Sequence, residues 1–309
     1  MKFKQTFAAL LCGAIVFGTA GCGLNPATGS QNAQASSGSG SSAEGSGQAA
    51  GSAAGSAVPA GGLEEEIEKN PIPQGEKYMA ITFDDGPTGN EGGRTERLLD
   101  GLKERGVHAT FFLCGYRIRD FNSMSERYLA EGHEVGNHTM NHVLLDREVS
   151  DGGLQQISSN SELIASYTGE EPTVMRPTGG AYNDTVRASM KQLGLPIILW
   201  SIDSLDWKYR DASSVKARIV ENAEDGAIVL SHDLYETTVE GVLSAIDELQ
   251  AQGYAFVTVS ELAQLKGVTL EPGEVYSDFT DETLHPEEAE PAAEPKSGST
   301  ETEPEQPAA

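Results

Sequence analysis

Cysteine is scarce in this 309-residue chain, with three in all, and two of them, Cys12 and Cys22, fall within the first 22 residues. Cys114 stands alone in the remainder, which excludes a disulfide-built scaffold. Within Thr110-Phe111-Phe112-Leu113-Cys114-Gly115 it reads as a small packed apolar residue and not as a nucleophile. Positive charge is also short: 21 Lys and Arg face 47 Asp and Glu, for a formal net charge of -26. The basic residues form no cluster along the chain, so a nucleic-acid backbone would be repelled and no nucleic-acid partner is expected. Long apolar runs are missing too. The apolar segment from Phe7 to Phe17 is too short for a membrane span.

What the N-terminus does hold is an export pattern. Met1-Lys2-Phe3-Lys4 is the positive region ahead of that apolar segment. Thr19-Ala20-Gly21-Cys22 resembles the lipobox of bacterial lipoproteins, with Thr19 where Leu is usual. Residues 1–22 are therefore expected to be a lipoprotein-type signal, with Cys22 lipidated and the protein held at the outer face of a bacterial membrane, partly secreted. The alternative is cleavage among these small residues and release of a soluble protein. Residues 23–76 form the expected tether, nearly all Gly, Ser and Ala from Asn25 to Gly62, which buries too little apolar surface to order itself. Glu64 to Lys69 is expected to add a helical turn.

From Lys77 to Leu270 short β-branched or aromatic runs alternate with segments whose apolar residues recur at helical spacing. This pattern argues an α/β domain, a distorted (β/α) barrel with about seven parallel strands. The strands centre on Ala80–Phe83, Thr110–Leu113, Glu134–Asn137, Thr173–Arg176, Ile197–Ser201, Ala227–Ser231 and Ala255–Val259. Helical stripes run through Arg97 to Leu102, Leu154 to Ile164, Val186 to Leu193, Val215 to Val220 and Val242 to Leu249. From Glu271 onward twelve acidic residues face one lysine, and residues 271–309 are expected to be a disordered acidic tail.

The first strand, Tyr78-Met79-Ala80-Ile81-Thr82-Phe83, delivers Asp84 and Asp85 into Gly86-Pro87. Adjacent side chains at a strand end point in different directions, so the two carboxylates suit separate roles, one holding a cation and one moving a proton. Asp-Asp-Gly-Pro also serves as a plain tight turn. A second stretch, Gly136-Asn137-His138-Thr139-Met140-Asn141-His142, separates two imidazoles by four positions. One helical turn would stack them on one face, a spacing that suits two ligands of one zinc ion with a carboxylate supplied from elsewhere. Both stretches follow expected strands, as do Arg176-Pro177-Thr178-Gly179-Gly180-Ala181-Tyr182, Asp203-Ser204-Leu205-Asp206-Trp207 and Leu230-Ser231-His232-Asp233. Parallel barrels gather functional groups at this end of their strands. His108, His133 and His285 do not sit there and are read as non-catalytic.

These five stretches, in this order, resemble the motifs of a polysaccharide deacetylase of the NodB-homology type, carbohydrate esterase family 4. The resemblance covers Lys77 to Lys266. It implies that Asp84 is the catalytic base and that Asp85, His138 and His142 hold one divalent metal ion, zinc by preference, with cobalt or another divalent ion as alternatives. It further implies an oxyanion donor at the Gly179 backbone N–H. His232 becomes a general acid oriented by Asp206, Arg176 a partner of the base, and Trp207 and Leu230 the walls of an acetyl pocket. The chain departs from the family at Thr178, a usual Pro, and at Gly179, a usual Tyr; Tyr182 is the candidate to replace the lost ring. Asp203 either caps its loop or shares the role of Asp206.

The resemblance implies metal-dependent removal of N-acetyl groups from an N-acetylglucosamine-containing cell-wall polysaccharide, with peptidoglycan favoured by the tether. The alternatives are a chitin-like or biofilm glycan, acetylxylan, or an inactive glycan-binding lipoprotein. A monomer is expected.

Overall fold

A computed structural model describes residues 70–89, 93–120 and 124–286. The expected signal, Cys22, most of the tether with the turn at Glu64 to Lys69, and residues 287–309 lie outside the described residues. Among the described residues no helix is long and apolar enough to cross a membrane.

Strand β1, Lys77–Asp84, is buried from Met79 to its end. Parallel strands covered on both faces are apolar on both faces, which is why this run shows little alternation. Its second half pairs with β2, Thr110–Leu113, and with β6, Ile228–His232. Its first half pairs with β7, Tyr254–Val257. Outward, β2 pairs with β3, Glu134–Asn137, and β6 with β5, Ile202–Asp203. Every one of these ladders is parallel. A separate parallel pair joins β4, Ile197–Ile198, to β8, Val275–Tyr276. Single-residue bridges from Met175 to Asn137 and Ile197 link this pair to β3. The result is an α/β fold with a distorted, incompletely closed barrel.

Two expected strands are corrected. Thr173–Arg176 shrinks to the bridge residue Met175, because Pro172 and Pro177 flank the run and neither has an N–H to extend a ladder. Ile197–Ser201 shortens to β4, and β5 begins beyond it at Ile202. The carbonyls of Ile198 and Leu199 accept hydrogen bonds from the Arg176 guanidinium, at 3.1 and 2.7 Å, in place of a neighbouring strand.

The expected domain ends are corrected as well. Asn70 donates to the carbonyls of Leu129 and Ala130, and Ile72 packs against the barrel core. At the other end, residues 271–286 fold. Glu271 onward supplies β8, Phe279 is fully buried, and its N–H donates to the Gly226 carbonyl at 2.8 Å. Composition hid this, because a few apolar residues, Val275, Tyr276, Phe279 and Leu284, pack against the core in a stretch that is otherwise acidic.

The helices are α1 (Arg94–Glu104), α2 (Gly115–Asp120), α3 (Ser125–Ala130), α4 (Leu154–Thr168), α5 (Asp184–Leu193), α6 (Asp206–Tyr209), α7 (Ala212–Glu221), α8 (Glu236–Gln250), α9 (Val259–Leu265) and α10 (Asp281–Leu284). Asn183 caps α5 through the Val186 N–H, and Asp211 caps α7 through the Ser214 N–H. The alternation of β1 divides the interior. Met79, Ile81 and Phe83 face a core shared with α1 and α8, while Ala80 faces the barrel interior with Phe112, Ile198, Ile228 and Val257. By the same period of two, Thr82 and Asp84 point inward.

Candidate active site

Inside the barrel the side chain of Arg176 is fully buried. A lone buried guanidinium would be prohibitively costly, and this one is matched on every side. Its Nη1 donates to Thr82 Oγ1 at 2.6 Å and to Asp84 Oδ1 at 2.8 Å, and its plane lies over Phe112 with 4.2 Å to the ring centroid. Asp84 is thereby fixed at the mouth of the barrel, 3% exposed.

The next residue turns away. Asp85 has a φ of 72°, a left-handed conformation that swings its carboxylate to the other side of the strand end. Gly86 follows because a Cβ there would lie 2.7 Å from both carboxylate oxygens of the buried Asp233. The imidazole nitrogens His142 Nε2 and His138 Nε2 lie 2.9 and 3.3 Å from Asp85 Oδ1. That oxygen is buried and has no hydrogen-bond partner. His138 Nδ1 lies 2.8 Å from the Arg176 carbonyl; carrying the proton there leaves a lone pair on Nε2. One oxygen and two imidazole nitrogens therefore converge within 4.8 Å of one another. This donor set fits a single divalent cation such as zinc or cobalt.

The two histidines do not lie on a helical turn, as their spacing suggested. They occupy an irregular loop in which Thr139 and His142 both take left-handed backbone, with φ of 69° and 55°. A buried amide network holds it. Asn137 Oδ1 accepts from the Thr139 N–H at 2.9 Å and from Asn160 Nδ2 at 2.9 Å, while its Nδ2 donates to the Ile157 carbonyl. The Gly115 and Tyr116 N–H groups donate to the carbonyls of Thr139 and Met140.

Across the mouth, His232 ends β6. Its Nδ1 lies 2.8 Å from Asp206 Oδ1, and its backbone N–H donates to Asp206 Oδ2 at 2.8 Å. Asp206 is fully buried and also accepts from the Thr238 hydroxyl and the Trp207 N–H. Burial alone would push the His232 imidazole down. The hydrogen bond and charge of Asp206, with Asp84 and Asp85 behind it, carry it up to about 9. Burial likewise opposes the charge on Asp206, and the hydrogen bonds and charge of His232 together with the Thr238 hydroxyl more than offset it, holding the carboxyl below its ordinary range.

These groups open on a cleft of about 530 Å³ lined by Asp84, Asp85, His138, His142, Gly179 and His232, with Trp207, Leu230, Leu144 and Trp200 as its apolar walls. The polysaccharide deacetylase profile matches residues 72–198. The peptidoglycan-N-acetylglucosamine deacetylase PgdA of Listeria monocytogenes is 39% identical over 219 residues, 71% of this chain and 45% of that protein. A peptidoglycan-N-acetylglucosamine deacetylase of Bacillus cereus is 39% identical over 200 residues, 63% of this chain and 92% of that protein. This chain belongs to the polysaccharide deacetylase family. A solved family 4 acetyl xylan esterase of Clostridium thermocellum, in complex with a cobalt ion, is 31% identical with a TM-score of 0.59, covering 65% of this chain and 98% of that one. The chain spans less than half the length of the Listeria relative, so the match there is to part of a larger protein.

Within this member of the polysaccharide deacetylase family, most expected site residues meet at the cleft. Arg176 and Asp206 stand behind it as supports of Asp84 and His232. Tyr182 is not among the lining residues and lies exposed, so the structure does not bring it to the lost ring. At Gly179 φ is 61°, where any side chain is strained, and a Cβ would meet Leu144 at 3.6 Å. Asp203 caps its loop through the Leu205 N–H at 2.8 Å and reaches the Trp207 indole N–H at 3.4 Å. It positions Trp207, and Asp206 alone holds His232. Leu144, Glu148 and Trp200 were missed. The first two lie in the loop past His142, where no periodicity marks them, and Trp200 was hidden in an expected strand. Cys114 is buried, its Sγ 3.4 Å from the His138 carbonyl, and burial raises its thiol pKa well above the ordinary value.

Proposed function

We propose that this protein is a metal-dependent hydrolase that removes N-acetyl groups from N-acetylglucosamine-containing cell-wall polysaccharide, with peptidoglycan as substrate. The observation that carries the reading is the cluster of Asp85, His138 and His142 between two opposed and separately supported groups, Asp84 on Arg176 and His232 on Asp206. The relatives of peptidoglycan specificity support the polymer. A lipid anchor at Cys22, facing the cell wall, would place the cleft beside it.

Asp85, His138 and His142 would hold the ion, which is zinc or cobalt by the softness of two imidazoles and one carboxylate. When bound, the ion polarises the acetyl carbonyl and lowers the pKa of an attacking water. Asp84, aimed by Arg176, takes the proton of that water. The Gly179 N–H donates to the oxygen on which negative charge collects, a contact worth about 3 kcal/mol in comparable sites. An amine leaves poorly until protonated. His232, held protonated by Asp206, supplies that proton from the opposite side. Trp207 and Leu230 enclose the acetyl methyl group.

The supported acid favours an amide over an ester, because an alkoxide leaves with less assistance than an amine. Acetylxylan remains the second reading, on the likeness to the xylan esterase. The test is acetate release by the full chain from peptidoglycan, chitin oligomers and acetylxylan, with and without a chelator. Release from peptidoglycan that a chelator abolishes and zinc or cobalt restores is expected. Absence of release from all three would replace the enzyme by a glycan-binding protein. Asp84→Asn should keep fold and bound ion and lower turnover by about 10²- to 10⁴-fold.

A further inference from the structure

Beside the cleft the surface changes sign. Residues 207–218 carry four basic residues, Lys208, Arg210, Lys216 and Arg218, and one acidic residue, Asp211, in a chain where 47 carboxylates face 21 bases. This stretch is the exception to the absence of basic clusters along the chain. Lys216 pairs with Glu248 at 2.8 Å. Lys208, Arg210 and Arg218 have no carboxylate partner among the described residues.

Three nearby carboxylates are engaged elsewhere. Asp211 Oδ1 accepts from the Ser213 hydroxyl and the Ser214 N–H, at 2.6 and 2.8 Å. Asp203 holds Leu205 and Trp207, and Glu236 pairs with Arg97. The three free cations rest instead on aromatic rings. Lys208 lies 5.0 Å and Arg218 6.0 Å from the Tyr209 centroid, and Arg210 lies 4.5 Å from that of Tyr235. Such stacking leaves a cation's charge intact and restricts its side chain, so less freedom remains to be lost when an anion arrives. Along the chain the patch adjoins residues that line the cleft. Lys208 follows Trp207 on α6, and Tyr235 lies three residues past His232.

We propose that Lys208, Arg210 and Arg218 form a binding surface for carboxylates carried by the polymer, on units adjoining the sugar whose acetyl group lies in the cleft. The proposal rests on the deacetylase reading and narrows its substrate to acidic N-acetylated glycans. Neutral polymers such as chitin would occupy the cleft without this contact. With a net charge of -26 the rest of the protein repels such a polymer, and the patch supplies the local attraction that orients it.

The test compares the full-length protein with Lys208→Gln/Arg210→Gln/Arg218→Gln on two substrates, glycan strands of peptidoglycan freed of phosphate polymers and neutral N-acetylglucosamine oligomers of equal length. KM for the acidic strands should rise about tenfold at unchanged kcat, and the wild-type advantage should fade with salt. Kinetics on the neutral oligomers should stay within about twofold, which also reports an intact fold. Equal shifts on both substrates, or none, overturn the proposal. So does an effect that appears only when phosphodiester polymers are left attached. Co-sedimentation with the acidic strands, in an Asp84→Asn background with and without the three Gln substitutions, reads the patch separately from turnover. If the wild type releases no acetate from either polymer, the deacetylase reading fails, while this binding comparison still decides the patch.

Discussion

Asp206 holds His232 at two points, with one carboxylate oxygen 2.8 Å from the imidazole Nδ1 and the other 2.8 Å from the His232 backbone N–H. The ring is thereby fixed in direction, and Nε2 is left for the cleft. Position and protonation come from the same carboxylate.

Asp206→Asn separates those two contributions, since an amide can keep the geometry but supplies no charge. The raised His232 pKa of about 9 means the imidazole stays protonated through neutral pH and loses its proton as pH rises through that value. Deacetylation by the wild type should therefore decline on the alkaline side near pH 9. In Asp206→Asn that decline should move at least about one unit lower, with turnover at neutral pH reduced about 10- to 100-fold. A pH–rate profile for both proteins checks this, and an unmoved alkaline limb would remove His232 from the acid role.

Arg176→Met leaves the Asp84 carboxylate buried without its cation, together with two carbonyls and a hydroxyl that lost their donor. Removing one partner of a buried ion pair typically costs about 3–5 kcal/mol. Urea unfolding should show a loss of that order. The double variant Arg176→Met/Asp84→Leu should recover part of it without recovering activity.

His133 packs edge-on against Phe111, and its Nδ1 accepts the Ala109 N–H. Burial pushes this imidazole down to about 3, with the charges of His108 and Arg127 acting in the same direction. The unfolded chain takes up a proton at His133 near pH 6.5, and the folded chain does so only near 3. Stability from this group is thus complete above pH 6.5 and is lost as pH falls through that window, by up to about 1.4 kcal/mol per pH unit. His133→Asn should flatten the stability curve between pH 6.5 and 4.5 in urea titrations. Equal slopes would show that other groups govern acid unfolding.

Phe279 is fully buried although it lies in the stretch whose composition resembles a tail. Phe279→Ala should cost about 3–5 kcal/mol, read as a fall in Tm. A chain ending at Leu270 should be less stable still, because it also loses β8 and the edge of β4 that β8 covers.

The order of strands and the residues at their ends were legible because buried parallel strands are written as compact apolar runs, each followed by its polar cluster. Asp84, Asp85, His138, His142, Asp206 and His232 could be found this way. The path between clusters was not. The four-residue spacing of His138 and His142 imitates a helix, yet the loop is shaped by Asn137 and Asn160, whose partners lie far away in sequence. The shortening of the strand at Ile198 follows from the demand of Arg176 for carbonyls, a tertiary requirement without a local pattern. Folding of residues 271–286 depends on a docking site for Phe279 that only the assembled barrel provides.

Arg176 supports the cleft in two ways: its side chain holds Asp84, and its own carbonyl lies 2.8 Å from Nδ1 of His138. The base and the first imidazole are therefore not independently adjustable, and selection for a change in one perturbs the other. The pair of Asp206 and His232 shares no such residue with them. Divergence in leaving group is thus free to proceed through α6 and β6, while the half of the site built on β1 and β3 changes as a unit or not at all.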